Sequence, residues 1–299
     1  MSEPMLGGMA QTERDRPEPL LRPGNTNCGG CGLSVMLQML SRAVAHTPVQ
    51  LVIPACCAVV AAGPFPFSGY SAPVIACAFA STAAVATGLA HVARLNGEKT
   101  RVICIAGDGG TADIGMAALS AAAERNEDLF YVCYDNEIYG NTGGQRSSAT
   151  PLGAVTTTTS GGKEEPKKDI VGIMAAHAVP YTATVSLAHP EDALRKMRHA
   201  LELAGFRFLH VLSPCPTGWK SEPAQGIELL RLAVRSGLYP VYEIFDGHRV
   251  VVNVEPEMSD EALARYFAGQ RRFAKSKIAL GQVRAEIERV WQRLRERAG

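Results

Sequence analysis

Two apolar runs, each ending in a loop rich in glycine and oxygen donors, constrain this chain more than any other feature. Arg101-Val102-Ile103-Cys104-Ile105 is continuously β-prone, as expected of a strand buried on both faces of a parallel sheet. It leads into Gly107-Asp108-Gly109-Gly110, where glycine permits a tight turn and a close approach of backbone to a ligand. Asp113 to Arg125 is rich in alanine and predicts a helix whose first N–H groups face an anion. Leu129 to Tyr134 predicts a second buried strand, followed by Asp135-Asn136-Glu137-Ile138-Tyr139-Gly140-Asn141-Thr142-Gly143-Gly144-Gln145. Both loops then lie at the carboxyl ends of neighbouring strands, where open α/β sheets bind ligands. Oxygens from Asp108, Asn136 and a loop carbonyl suit a hard divalent cation that bridges two phosphates.

The same alternation extends along most of the chain. Short strands are predicted at Leu51 to Ile53, Thr182 to Val185 and Phe208 to Leu212. A helix from Glu191 to Leu203 starts behind Pro190, a residue favoured in a first helical turn. Such a pattern argues for a mostly parallel sheet covered on both faces, and we assign residues 25–220 to this α/β domain. Residues 1–24, rich in Gly, Glu, Arg and Pro, read as a mobile arm or one draped over a neighbour. Residues 221–299 read as a small carboxyl-terminal extension and subunit contact. It holds a helix from Gly226 to Ser236 and a hairpin of Val241 to Phe245 with Arg249 to Val254, turning at Asp246-Gly247. A last helix, Ile278 to Arg297, carries Ile278, Val283, Ile287, Val290, Trp291 and Leu294 on one stripe. Such a stripe packs on its own domain or embraces another subunit. Between Pro151 and Lys168 the alternation breaks into four consecutive threonines, Gly161-Gly162 and the charged patch Lys163 to Lys168. That is long for a passive connection and predicts a functional loop or a partner contact.

Cysteine placement adds a second chemistry. Cys28 and Cys31 form a close pair in a Gly-rich stretch before a helix, Cys56 and Cys57 follow a short strand, and Cys215 follows another. The first pair alone is compatible with zinc, a redox dithiol or an iron–sulfur site. Zinc wants a second close pair of Cys or His, and adjacent residues such as Cys56 and Cys57 point apart. Cys77, Cys104 and Cys133 lie in apolar runs and read as small buried hydrophobes.

Other classes are disfavoured. The chain of 299 residues begins without a charged-then-apolar signal segment, so its eight cysteines do not read as a secreted disulfide scaffold. Its longest apolar stretch, Ala76 to Ala93, is broken by Ser, Thr and Gly and gives no membrane span. A net charge of +1 offers no global reason to expect nucleic acid. These features predict a cytoplasmic protein with reduced thiols.

The Gly-Asp-Gly turn at Asp108, followed a little under thirty residues later by the loop at Asn136, resembles the thiamine diphosphate motif. The longer string Asp135 to Pro151 resembles the metal loop of pyruvate:ferredoxin oxidoreductases and their 2-oxoacid relatives. The resemblance implies a three-layer thiamine diphosphate-binding fold. It implies that Mg2+ takes the side chains of Asp108 and Asn136 and the carbonyl of Ile138, and that Asn141 faces the thiazolium and the substrate as the catalytic side chain. Gly107, Gly109, Gly110, Tyr139, Gly140 and Thr142 would complete the cofactor site. The cysteine spacing resembles the cluster pattern of the same family and assigns Cys28, Cys31, Cys56 and Cys215 to one 4Fe–4S cluster, with Cys57 as a packing neighbour.

The implied activity is oxidative decarboxylation of a 2-oxoacid, with electrons passed to the cluster and the acyl group to coenzyme A. Pyruvate is the favoured substrate, although Ala80-Ser81 departs from the Glu-Asn of many pyruvate-type chains and leaves branched-chain, aryl and oxalate substrates open. Activation of the thiamine needs a carboxylate at the pyrimidine. In thiamine enzymes that Glu comes from a second α/β module, and the sequence has one. The resemblance therefore implies a β subunit whose partners are a pyrimidine-module α chain, γ and ferredoxin-like δ chains, and ferredoxin or flavodoxin as acceptor. The basic residues of the 151–168 loop are weak candidates for the coenzyme A phosphates.

Overall fold

The computed structural model describes residues 18–64 and 66–299. Eight strands form one sheet: β1 (Val49–Pro54), β2 (Val74–Cys77), β3 (Arg101–Gly107), β4 (Phe130–Asp135), β5 (Tyr181–Ser186), β6 (Arg207–Leu212), β7 (Val241–Phe245) and β8 (Arg249–Val254). Their order across the sheet is β2-β1-β3-β4-β6-β5-β7-β8. The first six strands run parallel, and the hairpin β7–β8 adds antiparallel to β5.

Alternation of side chains builds two cores from the same strands. Leu51, Ile53, Ile103, Ile105, Phe130, Val132 and Tyr134 face one helical layer, and Val52, Val102, Cys104, Ala106, Tyr131 and Cys133 face the other. Helices Gly32–Val44, Pro190–Glu202 and Gly226–Arg235 cover the first face. Helices Thr82–Leu95, Met116–Glu124 and Leu280–Ala298 cover the second. This is the expected three-layer α/β fold, and burial on both sides explains why β3 and β4 read as largely apolar runs rather than alternating ones. Cys104 and Cys133 are buried in the second core as small apolar side chains, while Cys77 lies half-buried on the edge strand.

Three sequence expectations change. The stretch Ala76 to Ala93 supplies the edge strand β2 and the helix Thr82–Leu95, elements that its Ser, Thr and Gly interruptions had hidden. Among the described residues, no helix is long and apolar enough to cross a membrane. Residues 1–17 of the expected arm lie outside the described residues, but Leu20 and Leu21 are buried in the first core, with Leu21 bridged to Tyr70. That end of the arm is therefore packed on its own domain. The third change concerns residues 221–299. The hairpin lies where expected, yet no break in the sheet marks residue 221, because β7 pairs directly with β5. Without it, β5 would present a bare row of N–H and C=O groups at an edge. On the last helix, Val283, Ile287, Trp291 and Leu294 are buried in the second core, so most of the apolar stripe packs on its own domain.

Trp291 anchors this arrangement, since its ring is buried and its indole N–H donates to Gly237 O at 2.8 Å. Trp291→Ala should lower the unfolding free energy by roughly 3–5 kcal/mol, the usual cost of deleting a buried aromatic, in a denaturant titration. A loss below about 0.5 kcal/mol, within the range of surface substitutions, would show that the helix is only loosely attached.

Candidate functional site

Four loops meet above the carboxyl ends of β1, β3, β4 and β6, which are neighbours in that order. They bring Cys57, Asp108, Asn136 and Cys215 to one end of the sheet. The turn after β3 is wider than expected: residues Gly109–Asp113 form a π-helical turn that runs through Ile114 into the helix Met116–Glu124. Such turns recur at functional sites. A Cβ on Gly109 would stand 2.6 Å from the Tyr139 ring, and one on Gly110 would stand 2.9 Å from Phe79. The two aromatic rings, 5.9 Å apart and edge to face, thus leave room for glycine alone. Tyr139 is fixed by its hydroxyl, which donates to Asp113 Oδ2 at 2.9 Å.

Asp108 is buried, and Ser147 Oγ donates to its Oδ2 at 2.5 Å. Burial, and next the nearby Asp135, push its carboxyl well above the usual carboxylate range. The amide of Asn136 stands 2.9 Å from Asp108 Oδ1 and 2.6 Å from Ile138 O, with its oxygen facing both acceptors. Turned over, the amide nitrogen would donate to both. With oxygen inward, three oxygens from Asp108, Asn136 and Ile138 converge, which is the donor set that a hard divalent cation takes. The residues present therefore fit Mg2+, whose charge would also oppose the burial penalty on Asp108. Asn141 is exposed at the mouth of the site, and Thr142, also exposed, closes its loop by donating to Gln145 Oε1 at 2.6 Å.

Beneath the metal loop lies a layer of buried charge that sequence reasoning missed. Lys167 Nζ bridges Asp135 Oδ2 at 2.5 Å and Glu137 Oε1 at 2.9 Å. His210 Nε2 also meets Asp135 Oδ2, at 2.8 Å, and Arg272 Nη2 meets Glu137 Oε2 at 2.5 Å. With Lys167 the first of the charges that favour its ionised form, Asp135 is held well below the usual carboxylate range despite burial. These partners come from distant segments, and no local sequence signal marks them. The 151–168 loop packs against the segments around the metal loop. Lys163 Nζ donates to Ser148 O, Thr150 O and Pro166 O at 2.7–3.1 Å, and Lys168 Nζ donates to Ala112 O. Lys163, Lys167 and Lys168 all have partners within the chain.

The cysteines gather as expected except at one position. Cys28, Cys31, Cys57 and Cys215 line a single cavity of about 430 Å3, together with Asn136, Ile138, Gly140 and Asn141. Cys56 is not among them. Its side chain is buried against Tyr134 in the first core, so the structure turns Cys57 toward the other three and makes Cys56 the packing neighbour. The cause is local: after a turn that ends β1, Cys56 is the extended cap of the short helix Cys57–Val60 and its side chain is buried, whereas Cys57 opens that helix. Among the described residues no three His, Cys, Asp or Glu side chains stand at the spacing of one bound ion. Burial first, then the other cysteines, pushes the Cys57 thiol up to about 12. Burial pushes Cys215 up to about 11 although the Gly218 N–H points to its sulfur at 3.3 Å. Cysteine sulfurs at a shared cavity are ligands that a soft metal centre takes, and N–H groups aimed at sulfur tune such centres.

Comparison with known proteins bears on the family and the fold. The family "Thiamine pyrophosphate enzyme, C-terminal TPP binding domain" matches residues 56–211. Ketoisovalerate oxidoreductase subunit VorB of Pyrococcus abyssi is 40% identical over 287 residues, covering 92% of each chain. Pyruvate synthase subunit PorB of Methanothermobacter thermautotrophicus is 41% identical over 285 residues, covering 93% of this chain and 98% of its own. Among solved structures, a 2-oxoglutarate:ferredoxin oxidoreductase from Magnetococcus marinus superposes with a TM-score of 0.60 at 24% identity, over 72% of this chain and 80% of that one. This last likeness supports the fold.

Replacing Lys167 by Met would leave Asp135 and Glu137 buried without their shared cation. The expected cost is about 3–5 kcal/mol near neutral pH, read by denaturant unfolding. Because the Asp135 carboxyl is depressed in the folded state, its contribution exists above the unfolded value and fades as pH falls. The gap between wild type and variant should therefore narrow below roughly pH 4. A gap that is constant down to acid pH would remove the electrostatic account of this layer.

Proposed function

The chain belongs to the family of thiamine diphosphate-binding β subunits of 2-oxoacid:ferredoxin oxidoreductases, and from that premise we propose that it oxidatively decarboxylates pyruvate, or runs the reverse synthase reaction, with Mg2+–thiamine diphosphate and a 4Fe–4S cluster held in this one subunit. The supporting observation is the single cavity that Cys28, Cys31, Cys57 and Cys215 share with Asn136, Ile138 and Asn141. A thiamine decarboxylase that passes on no electrons has no use for those sulfurs, and a subunit that only transfers electrons has no use for the converging oxygens.

When bound, thiamine diphosphate supplies an electron sink for loss of CO2, and the cluster accepts electrons one at a time. Asp108, Asn136 and the carbonyl of Ile138 would hold the cation, and the backbone at Gly109 and Gly110 would approach the diphosphate closely. Asn141, on the cavity wall, would hydrogen-bond the substrate or the oxygen on which charge develops, as a preorganised donor. Coenzyme A takes the acyl group. The pyrimidine-activating Glu, the grip on the substrate carboxylate and the onward electron path fall to partner chains of α, γ and δ type, with ferredoxin or flavodoxin as final acceptor. A second reading keeps this chemistry but takes a branched-chain oxoacid, a possibility raised by the ketoisovalerate oxidoreductase relative. Turnover of the assembled complex on pyruvate and 3-methyl-2-oxobutanoate separates the two readings.

Asp108→Ala should abolish Mg2+-dependent thiamine diphosphate binding, measured by calorimetry, while leaving iron content unchanged. Cys57→Ser should lose iron and Cys56→Ser should retain it. Unchanged cofactor affinity in the first variant would remove the metal-site assignment. Loss of iron from Cys56→Ser alone would return the third ligand to Cys56.

A further inference from the structure

Arg272 lies in the carboxyl-terminal segment, in the 3₁₀ turn Arg271–Phe273, yet its guanidinium ends beneath the metal loop. It is 1% exposed and pairs with Glu137 at 2.5 Å. Glu137 stands between Asn136 and Ile138 and holds a backbone φ of +64°, a conformation that a non-glycine residue keeps only when its surroundings impose it. Its side chain turns inward to Arg272 and Lys167, while the amide of Asn136 faces both Asp108 Oδ1 and the Ile138 carbonyl. The second face of the guanidinium covers Trp219 at 4.6 Å, a cation–π contact. The Trp219 indole N–H donates to Asn136 O at 2.9 Å. Trp219 closes the short helix Pro216–Trp219, for which Cys215 is the cap. Finally, the carbonyl of Arg272 accepts from Val155 N at 2.9 Å, and Val155 lines the cavity.

One side chain thus touches the metal loop, the turn that carries Cys215 and, through its backbone, the 151–168 loop. The guanidinium Nε and Nη1 have no hydrogen-bond partner among the described residues. This orientation is therefore held by one ion pair, by a hydrogen bond from Nη2 to the Tyr266 hydroxyl at 3.3 Å, and by stacking on Trp219 and Phe273. We propose that Arg272 is a positioning residue, a clasp by which the carboxyl-terminal segment sets the Asn136–Ile138 oxygens and the Cys215 turn in a single rigid arrangement. The clasp rests on the reading of those two sites given above.

The test uses the assembled complex, freed of thiamine diphosphate, and the double variant Arg272→Met with Glu137→Gln, which leaves no unpaired charge at their contact. Calorimetry at fixed Mg2+ should give a thiamine diphosphate Kd raised roughly tenfold to a hundredfold, the usual effect of removing a group that orients metal ligands, with iron content also reduced. Arg272→Lys, which keeps the charge without the planar stack, should fall between. Arg235→Met, which removes an exposed ion pair with Glu257, should match wild type. Binding within twofold of wild type in both Arg272 variants would overturn the clasp while leaving the proposed function intact. Failure of the wild-type complex to bind Mg2+–thiamine diphosphate would overturn both.

Discussion

Parallel pairing of β3 with β4 is the constraint from which the site follows. In that register Gly107 stands beside Tyr134, so the chain leaves both strands at the same level and on the same side of the sheet. Asp108 and Asn136 are then adjacent although a helix and a strand separate them in sequence. The neighbouring pairs β1–β3 and β4–β6 place Cys57 and Cys215 on either flank by the same rule. A parallel sheet gathers the carboxyl-end loops of several strands at one rim, and here that rim carries oxygen donors in its middle and sulfur donors around them.

A rim of acceptors is costly to bury unless something opposes its charge. The chain answers with cations from two remote segments, Lys167 from the long loop and Arg272 from beyond the hairpin, and with a contact from the His210 ring of β6. Buried ion pairs add little net stability, but removing one partner is expensive. The layer beneath the metal loop thus fixes a conformation, including the left-handed backbone at Glu137, rather than adding to the fold's overall stability. The carboxyl-terminal strands and helix matter in this light because they complete the sheet and also deliver Arg272.

Strands buried on both faces announced themselves as apolar runs, and the hairpin at Asp246-Gly247 was legible to the residue from its turn chemistry. The π-helical turn at Gly109 was not, because sequence periodicity cannot distinguish a widened turn from the start of an ordinary helix. Edge strand β2 and the helix Thr82–Leu95 hid inside one apolar stretch, since short polar side chains at an element boundary look like simple interruptions. Spacing alone selected Cys56, but the direction of a side chain depends on where the strand ends and the helix begins, and one residue decides it. Glu137, Lys167 and Arg272 carried no signal at all: a charged residue reads as solvent-exposed until its partner, over a hundred positions away for Arg272, is known.

The central claim is that one subunit holds a thiamine diphosphate site and an iron–sulfur cluster at the same sheet rim. Quantifying thiamine, iron and acid-labile sulfide on one anaerobically prepared sample of this chain within its complex, with the partner chains' content subtracted, tests it directly. The account predicts one thiamine diphosphate and about four irons with matching sulfide for each copy of this chain, as for a cluster held by four cysteines. Zinc in place of iron, or thiamine with no sulfide attributable to this chain, would contradict it.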